Sequence, residues 1–177
     1  MIERKYLAHF LDANHVHTLD LSNLPTSYST STNYTRLGEH LEQYNEELNP
    51  QVDVHRNILG EPYIIQAGYQ PQSGVETFYV SNKSTDANKA LSDWLQSIVL
   101  DRLTGEDTKT TMIDAFIDMS NPTGLAVWAY KEDVYVVPQS FGGDTSGIQL
   151  PFQIYKAGKR VKVGFNLSTL KITGLAT

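Results

Sequence analysis

The sequence predicts a mainly β protein with one flanking α-helix near residues 85–104. Three observations lead to this prediction: alternation of apolar and polar residues near the C-terminus, two upstream runs rich in β-branched and aromatic residues, and one segment with apolar residues at helical spacing. Because 177 residues with 40% hydrophobic content can bury one core, we expect a single domain over residues 1–177.

The N-terminal region, about residues 1–36, is expected to form a loop-rich arm. Residues 25–35 (PTSYSTSTNYT) are almost all hydroxyl-bearing and turn residues, which are too polar to form a core. Residues 37–59 then give two conflicting signals. Leu37, Leu41, Tyr44 and Leu48 have helical spacing, whereas Val52, Val54 and Ile58 alternate as in a strand. The residues alone leave helix and strand open for the first half of this stretch.

One helix is clearly indicated. Ser84 or Thr85 is the expected N-cap, and Gly105 is the expected stop. The apolar positions at helical spacing are Ala87, Leu91, Trp94, Leu95, Ile98 and Val99. Such a stripe is expected to pack on the protein's own sheet.

Two strands are predicted within residues 112–119 and 125–137, which are rich in β-branched and aromatic residues. The sequence NPTG at residues 121–124 is the expected turn between them. Residues 131–133 (KED) are interpreted as a second turn or a bulge.

Residues 148–167 are predicted to form a C-terminal β-hairpin. Apolar and polar residues alternate over residues 148–155 and again over 160–167, and the glycine-containing segment 156–159 (KAGK) is the expected turn. Since proline cannot donate a ladder hydrogen bond, Pro151 indicates an edge strand or a bulge.

Charge and composition exclude several classes of protein. The net charge of −6 argues against a protein that grips nucleic acid phosphates, which requires Lys and Arg. Residues 151–177 carry five basic and no acidic residues, which leaves −11 for residues 1–150. Without cysteine there is no disulfide, thiolate metal site or thiol nucleophile. No long apolar run or signal peptide is evident, so we expect a chain made and kept soluble.

The search for catalytic or metal chemistry gives only weak candidates. His15 and His17 share one face of a strand, but no third ligand has metal-site spacing. The sequence DTSG at residues 144–147 is best explained as a turn. A solvated surface explains the dense carboxylates Glu39, Glu42, Glu46 and Glu47 better than a calcium site does. We therefore expect no catalytic residues, cofactor or metal.

Several segments, taken in order, resemble the major tail tube proteins of long-tailed (siphovirus-type) bacteriophages and prophages of Gram-positive bacteria. The first are LNPQV at 48–52, NILGE at 57–61 and AGY at 67–69. DRLTG at 101–105, YKEDV at 130–134 and VVPQS at 136–140 follow. The most specific is GGDTSG at 142–147 with QLPFQIY at 149–155 and KAGKR at 156–160.

This resemblance implies a β-sandwich or barrel-like subunit of the phage tail. It implies hexameric rings that stack into a tube, the conduit for DNA ejection, in a virion assembled in the bacterial host cytoplasm. The implied partners are copies of the chain, a tape measure protein, a tail terminator and a distal tail protein, with no membrane and no specific binding of DNA in the lumen. It also favours a long hairpin over helix within residues 37–59, reaching a neighbouring subunit.

A charge-based hypothesis for assembly follows from the uneven charge. The basic segment 155–163 is expected to contact an acidic segment of the next copy. The expected interface residues are Glu39, Glu42, Glu46, Glu47, Lys156, Lys159, Arg160 and Lys162.

Three other functions remain open. A tail terminator or distal tail protein would share the β-rich, acidic, cysteine-free character and form one ring without stacking. A β-sandwich carbohydrate-binding module could use Tyr63, Tyr69, Tyr79, Trp128 and Tyr130 as a stacking platform. An enzyme could use Asp114 and Asp118, but nothing else converges on them.

Overall fold

The computed structural model describes residues 7–12, 34–37, 45–75, 78–80, 89–118 and 120–175. This part is mostly β: an antiparallel sheet curls into a half-barrel, and one helix packs beside it. The predicted fold class is thus confirmed. No helix in the described ranges is long and apolar enough to cross a membrane.

In the described ranges the strands are β1 (Leu7–Asp12), β2 (Tyr34–Leu37), β3 (Asn45–Glu47), β4 (Pro50–Arg56), β5 (Pro62–Tyr69), β6 (Gln72–Val75), β7 (Lys109–Phe116), β8 (Trp128–Pro138), β9 (Gly142–Asp144), β10 (Gly147–Gln149), β11 (Phe152–Lys156), β12 (Val161–Asn166) and β13 (Lys171–Leu175). The α-helix α1 (Lys89–Asp101) lies between β6 and β7. A 3-10 turn, Gly105–Thr108, precedes β7.

The long strand β8 organises the main sheet. In the described part, the strand order is β2-β1-β7-β8-β11-β6-β3, and β12 also pairs with β8 and carries β13 on its other side. β7 pairs with β8 from Lys109 to Phe116 without interruption. Two short hairpins, β9–β10 and β4–β5, form separate two-stranded sheets.

The predicted C-terminal hairpin at residues 148–167 is wrong. β11 pairs with residues 134–138 of β8 and β12 with residues 129–131, and both run antiparallel to β8. The two segments are therefore consecutive parts of one interrupted strand. Residues 157–160 form an outward bulge instead of a turn, and a Cβ added at Gly158 would lie 3.0 Å from the Cβ of Asp133. Alternation is the same in a hairpin and in a bulged strand, so the sequence could not separate them.

Two interpretations of the neighbouring strands have opposite outcomes. The turn at residues 121–124 is confirmed by hydrogen bonds from Asn121 N to Asp118 O and from Gly124 N to Asn121 O. Residues 131–133 are no turn or bulge, because β8 continues through them in register with β7. The chain irregularity lies in the facing segment 157–160.

Two apolar clusters lie on opposite faces of the sheet, since alternate residues of β1 and β7 contribute to them. The first cluster packs α1 against the sheet, with Leu91, Trp94, Leu95 and Ile98 buried as predicted. The second cluster centres on Phe10, Ile113 and Phe165. Part of the predicted N-terminal arm, β1 and β2, is therefore built into the sheet, and residues 13–33 lie outside the described part.

The helix ends earlier than predicted. Arg102 takes a left-handed conformation (φ 52°), and Leu103 N donates to Ile98 O at 3.0 Å, as in a Schellman motif. Gly105 opens the 3-10 turn instead of stopping the helix. The N-cap residues Ser84 and Thr85 lie outside the described residues.

The DTSG segment forms a turn, as expected. Asp144 ends β9, Gly147 begins β10, and Ser146 N donates to Asp144 Oδ1 at 2.7 Å. Pro151 separates β10 from β11, and its carbonyl accepts a hydrogen bond from Gln139 N. Because β11 lies between β8 and β6, Pro151 marks a break in the strand and not an edge.

Candidate assembly surfaces

The most exposed element of the described chain is the β4–β5 hairpin, here called the hairpin arm (residues 50–69). Its strands pair antiparallel from Pro50 opposite Tyr69 to Arg56 opposite Pro62, with a bulge near Gln51. The strand interpretation is thus confirmed for Val52 and Val54, whereas Ile58 lies in the turn beyond the end of β4 at Arg56. Residues 38–44 lie outside the described part.

Both faces of the hairpin arm expose apolar side chains. Val54 stands opposite Ile64 on one face, and the other face carries Ile65 and the stacked rings of His55 and Tyr63. The exposed large apolar residues of the arm are Val52, Val54, Ile58, Leu59, Tyr63, Ile64, Ile65 and Tyr69. Contiguous exposed apolar surface of this kind is typical of an interaction site.

The tip of the hairpin arm is an ordered turn. Asn57 Oδ1 accepts hydrogen bonds from Leu59 N and Glu61 N, and Asn57 Nδ2 donates to Glu61 Oε2. Gly60 takes the left-handed conformation (φ 79°) that glycine tolerates. This turn presents Ile58 and Leu59 outward, and Ile58 is fully exposed.

A buried charge cluster lies on the sheet, where β1, β3, β7, β8 and β11 contribute one residue each. The side chain of Lys156 is only 1% exposed, and its Nζ lies 2.8 Å from Asp114 Oδ2, 3.0 Å from Glu46 Oε2 and 3.4 Å from Glu132 Oε2. His9 Nδ1 lies 2.6 Å from Asp114 Oδ1. The single positive charge of Lys156 is therefore shared among three carboxylates of its own chain.

Burial and pairing move the pKa values of this cluster in different directions. Burial alone would raise the pKa of Asp114, but the hydrogen bond from His9 and the charge of Lys156 outweigh it and lower the pKa to about 2. For Glu132, burial is the largest effect, and its pKa is raised despite Lys156. Burial acts to lower the pKa of Lys156, but the charge of Asp114 prevails and raises it.

These shifts predict that the fold is sensitive to acid. Because folding lowers the pKa of Asp114 from 3.8 to about 2, its ionised form stabilises the native state above pH 3.8, and this contribution is lost as the pH falls towards 2. The shift corresponds to about 2 kcal/mol. The raised pKa of Glu132 has the opposite sign, since it disfavours the ionised form at higher pH.

Asp114→Asn is therefore expected to flatten the fall in unfolding free energy between about pH 4 and pH 2. Urea unfolding at a series of pH values measures this slope. Asp53→Asn, on the exposed hairpin arm, is the control and should keep the wild-type slope. An unchanged slope in Asp114→Asn would contradict the prediction.

A row of aromatic rings continues from the charge cluster along the same face. Trp128 stacks on Phe116 with ring centroids 5.7 Å apart, and Tyr130 lies 5.7 Å beyond Trp128. The guanidinium of Arg160 lies 4.6 Å from the Tyr130 ring centroid, and its Nη2 lies 3.2 Å from Asp114 Oδ2. Arg160 thus joins the bulge 157–160 to the sheet.

The residues expected at an interface lie in different environments. Glu46 and Lys156 form an ion pair within the chain, so Lys156 stabilises the fold of its own chain. Glu47, Lys159 and Lys162 are exposed, and Arg160 is half-exposed. Glu39 and Glu42 lie outside the described residues. A contact between copies through Glu47, Lys159, Arg160 and Lys162 stays a prediction, and Lys159→Glu tests it without disturbing Asp114.

The other sequence candidates do not come together as a site. His15 and His17 lie outside the described residues, and the described part holds no group of three or more His, Asp or Glu residues that could bind a metal ion. Asp118 lies beyond the end of β7, and its Oδ1 accepts hydrogen bonds from N and Oγ of Ser120. Asp114, in contrast, is buried. The aromatic residues proposed for sugar binding lie in three separate places: Tyr63 and Tyr69 on β5, Trp128 and Tyr130 on β8, and Tyr79 in an isolated bridge with Gln149.

Sequence reasoning missed the roles of His9 and Glu132. A signal existed for Lys156, because Phe152, Ile154 and Lys156 are two residues apart and must share a face of β11. The predicted turn at residues 156–159 placed Lys156 outside the strand, so this signal was missed. His9 and Glu132 gave none, since their partners lie on strands that are distant in sequence.

Comparisons with known proteins concern the fold. No family model matches the chain, and no curated protein matches it in sequence. The fold is similar to a PVC sheath/tube terminator of an extracellular contractile injection system in the extended state, with a TM-score of 0.51 and 10% identity over 92% of this chain and 96% of that one.

Two further structures are similar at lower scores. The tube-terminating cap of the anti-feeding prophage has a TM-score of 0.48 and 11% identity over 92% of this chain and 90% of that one. A chain of the PVC sheath-tube complex in the extended state has a TM-score of 0.47 with the same identity and coverage. The similarity to the sheath/tube terminator agrees with the expected resemblance at the level of the fold alone, and the siphovirus type stays a prediction. The chain shares its fold with a sheath/tube terminator of a contractile injection system.

Proposed function

We propose that this chain is a structural subunit of a phage tail-like tube, and that it forms the ring that ends the tube. The observation that carries the proposal is the hairpin arm, which exposes apolar side chains on both faces. The proposed partners are other copies of the chain and the end of the tube that the ring covers.

The hairpin arm supports assembly because a two-stranded hairpin alone is only marginally stable in water. Burying one Val, Ile or Leu side chain contributes about 1.5–3 kcal/mol. The arm exposes Val52, Val54, Ile64 and Ile65 in the single subunit, so it has much to gain from a partner surface. Such an arm suits a subunit whose exposed hairpin is stabilised by contacts with neighbouring copies in a ring.

The terminator role is favoured over the stacked rings of a tube. This role is supported by the fold similarity to a sheath/tube terminator, which extends over nearly all of both chains. We therefore prefer the tail terminator to the siphovirus tube subunit that the sequence first suggested. The hexameric ring number and the passage of DNA through the lumen belong to this proposal.

The charge of the chain is compatible with a ring around passing DNA. With a net charge of −6, the subunit repels DNA phosphates overall, so DNA in the lumen of the ring can slide without being held. The role is structural, in a virion or virion-like particle assembled in a host cell. In this interpretation the buried carboxylates Asp114 and Glu132 have a structural role, because they form ion pairs with Lys156.

Electron microscopy of the purified chain at rising concentration, with light scattering after size exclusion, tests the proposal. We expect single rings that do not lengthen into tubes. Stacked hollow tubes would instead support the original tube-subunit hypothesis. A chain that stays monomeric, even with preformed tail tubes added, would overturn both and favour a binding module.

A further inference from the structure

A groove lies between the C-terminal end of α1 and the segment that follows β8. Its volume is about 410 Å³, within the range of roughly 300–1,000 Å³ typical of binding pockets. Its walls are mostly apolar, with Val99, Leu103, Val137, Pro138 and Phe141 beside a few polar side chains. Arg102, which ends the helix in its left-handed conformation, also lines the groove.

The groove and the tip of the hairpin arm have matching properties. The tip is convex and offers the adjacent apolar side chains Ile58 and Leu59, whereas the groove is concave and mostly apolar. Glu61 at the tip carries a charge opposite to that of Arg102 in the groove. The hydrogen bonds of Asn57 hold the tip in one shape, so little ordering is needed on docking.

We propose that the tip of the hairpin arm of one copy docks into the groove of a second copy. Among the described residues, none from the tip lines the groove of its own chain, so the docking that we propose is between two copies. Each copy has one tip and one groove, which makes the contact head-to-tail and allows it to close a ring. This inference rests on the proposed function and names the surface through which copies meet.

Cross-linking between two single-cysteine variants tests the docking directly, since the natural chain contains no cysteine. Ile58→Cys, carrying a size tag, is mixed with untagged Phe141→Cys and treated with a short thiol-specific cross-linker. The matched control replaces Phe141→Cys with Leu7→Cys, because the two side chains are 43% and 42% exposed. Leu7 pairs with Phe116 of β7, which lies opposite Trp128 at the start of β8, whereas Phe141 follows the other end of β8.

We expect several-fold more tagged–untagged dimer with Phe141→Cys than with Leu7→Cys. An equal yield from the two mixtures would overturn the docking. Electron microscopy of the same variants before cross-linking separates the two hypotheses. Rings without the tip–groove product leave the proposed function standing and remove the inference, whereas absence of both rings and product removes both.

Complementation provides a second, independent test. The tip variant Ile58→Asp with Leu59→Asp and the groove variant Phe141→Asp should each lose assembly when alone. Mixed together, they should recover dimers, because the intact tip of the groove variant can enter the intact groove of the tip variant. Wild-type assembly by Phe141→Asp alone, or no recovery on mixing, would contradict the proposal.

Discussion

Replacing Val54 and Ile64 with aspartate is expected to abolish assembly while leaving the subunit folded. The two residues face each other across the hairpin arm and are 66% and 69% exposed, so the charges are solvated in the free subunit. The variant lacks the two apolar side chains that the wild type would bury on assembly. At about 1.5 kcal/mol or more each, the loss per contact is about 3 kcal/mol, or on the order of a hundredfold in affinity.

Sedimentation or light scattering measures the assembly, and thermal unfolding checks the fold. The matched control is Leu125→Asp with Val127→Asp, since these side chains are 59% and 58% exposed and lie outside the arm. The control should assemble like the wild type. Equal assembly by the arm variant and the wild type would show that the exposed arm is not an interface.

The second large effect is expected from Lys156→Met. Methionine fills a similar volume, but it leaves Asp114, Glu46 and Glu132 without their shared buried cation. Removing one partner of a buried ion pair typically costs about 3–5 kcal/mol, because an uncompensated charge stays buried. We expect a destabilisation of that size in urea unfolding.

Lys159→Met is the matched control, because Lys159 is exposed on the bulge three residues further along. Such a surface substitution should change the unfolding free energy by less than about 0.5 kcal/mol. Adding Asp114→Asn to Lys156→Met should restore part of the loss, since it removes one of the uncompensated carboxylates. If the two lysine variants are equally stable, the charge cluster does not hold the sheet together.

The candidate surfaces were only partly predictable from the sequence. Lys156 and Glu46 were both expected in an interface between copies, but the fold brings them together within one subunit. Complementary charge indicates that two segments attract, but it carries no information on whether they belong to the same chain. Lys159 and Lys162 remain exposed, and their role between copies is still a prediction.

The mainly β class, the buried stripe of α1 and the turns at residues 121–124 and 144–147 were all predictable from the sequence. These features follow from periodicity and turn chemistry, which act over a few neighbouring residues. Three features could not be predicted: β11 and β12 continue along β8, Lys156 is buried on the sheet beside Asp114, and both faces of the hairpin arm stay exposed. Alternation fixes which residues share a face, whereas strand partners and burial depend on residues distant in the chain.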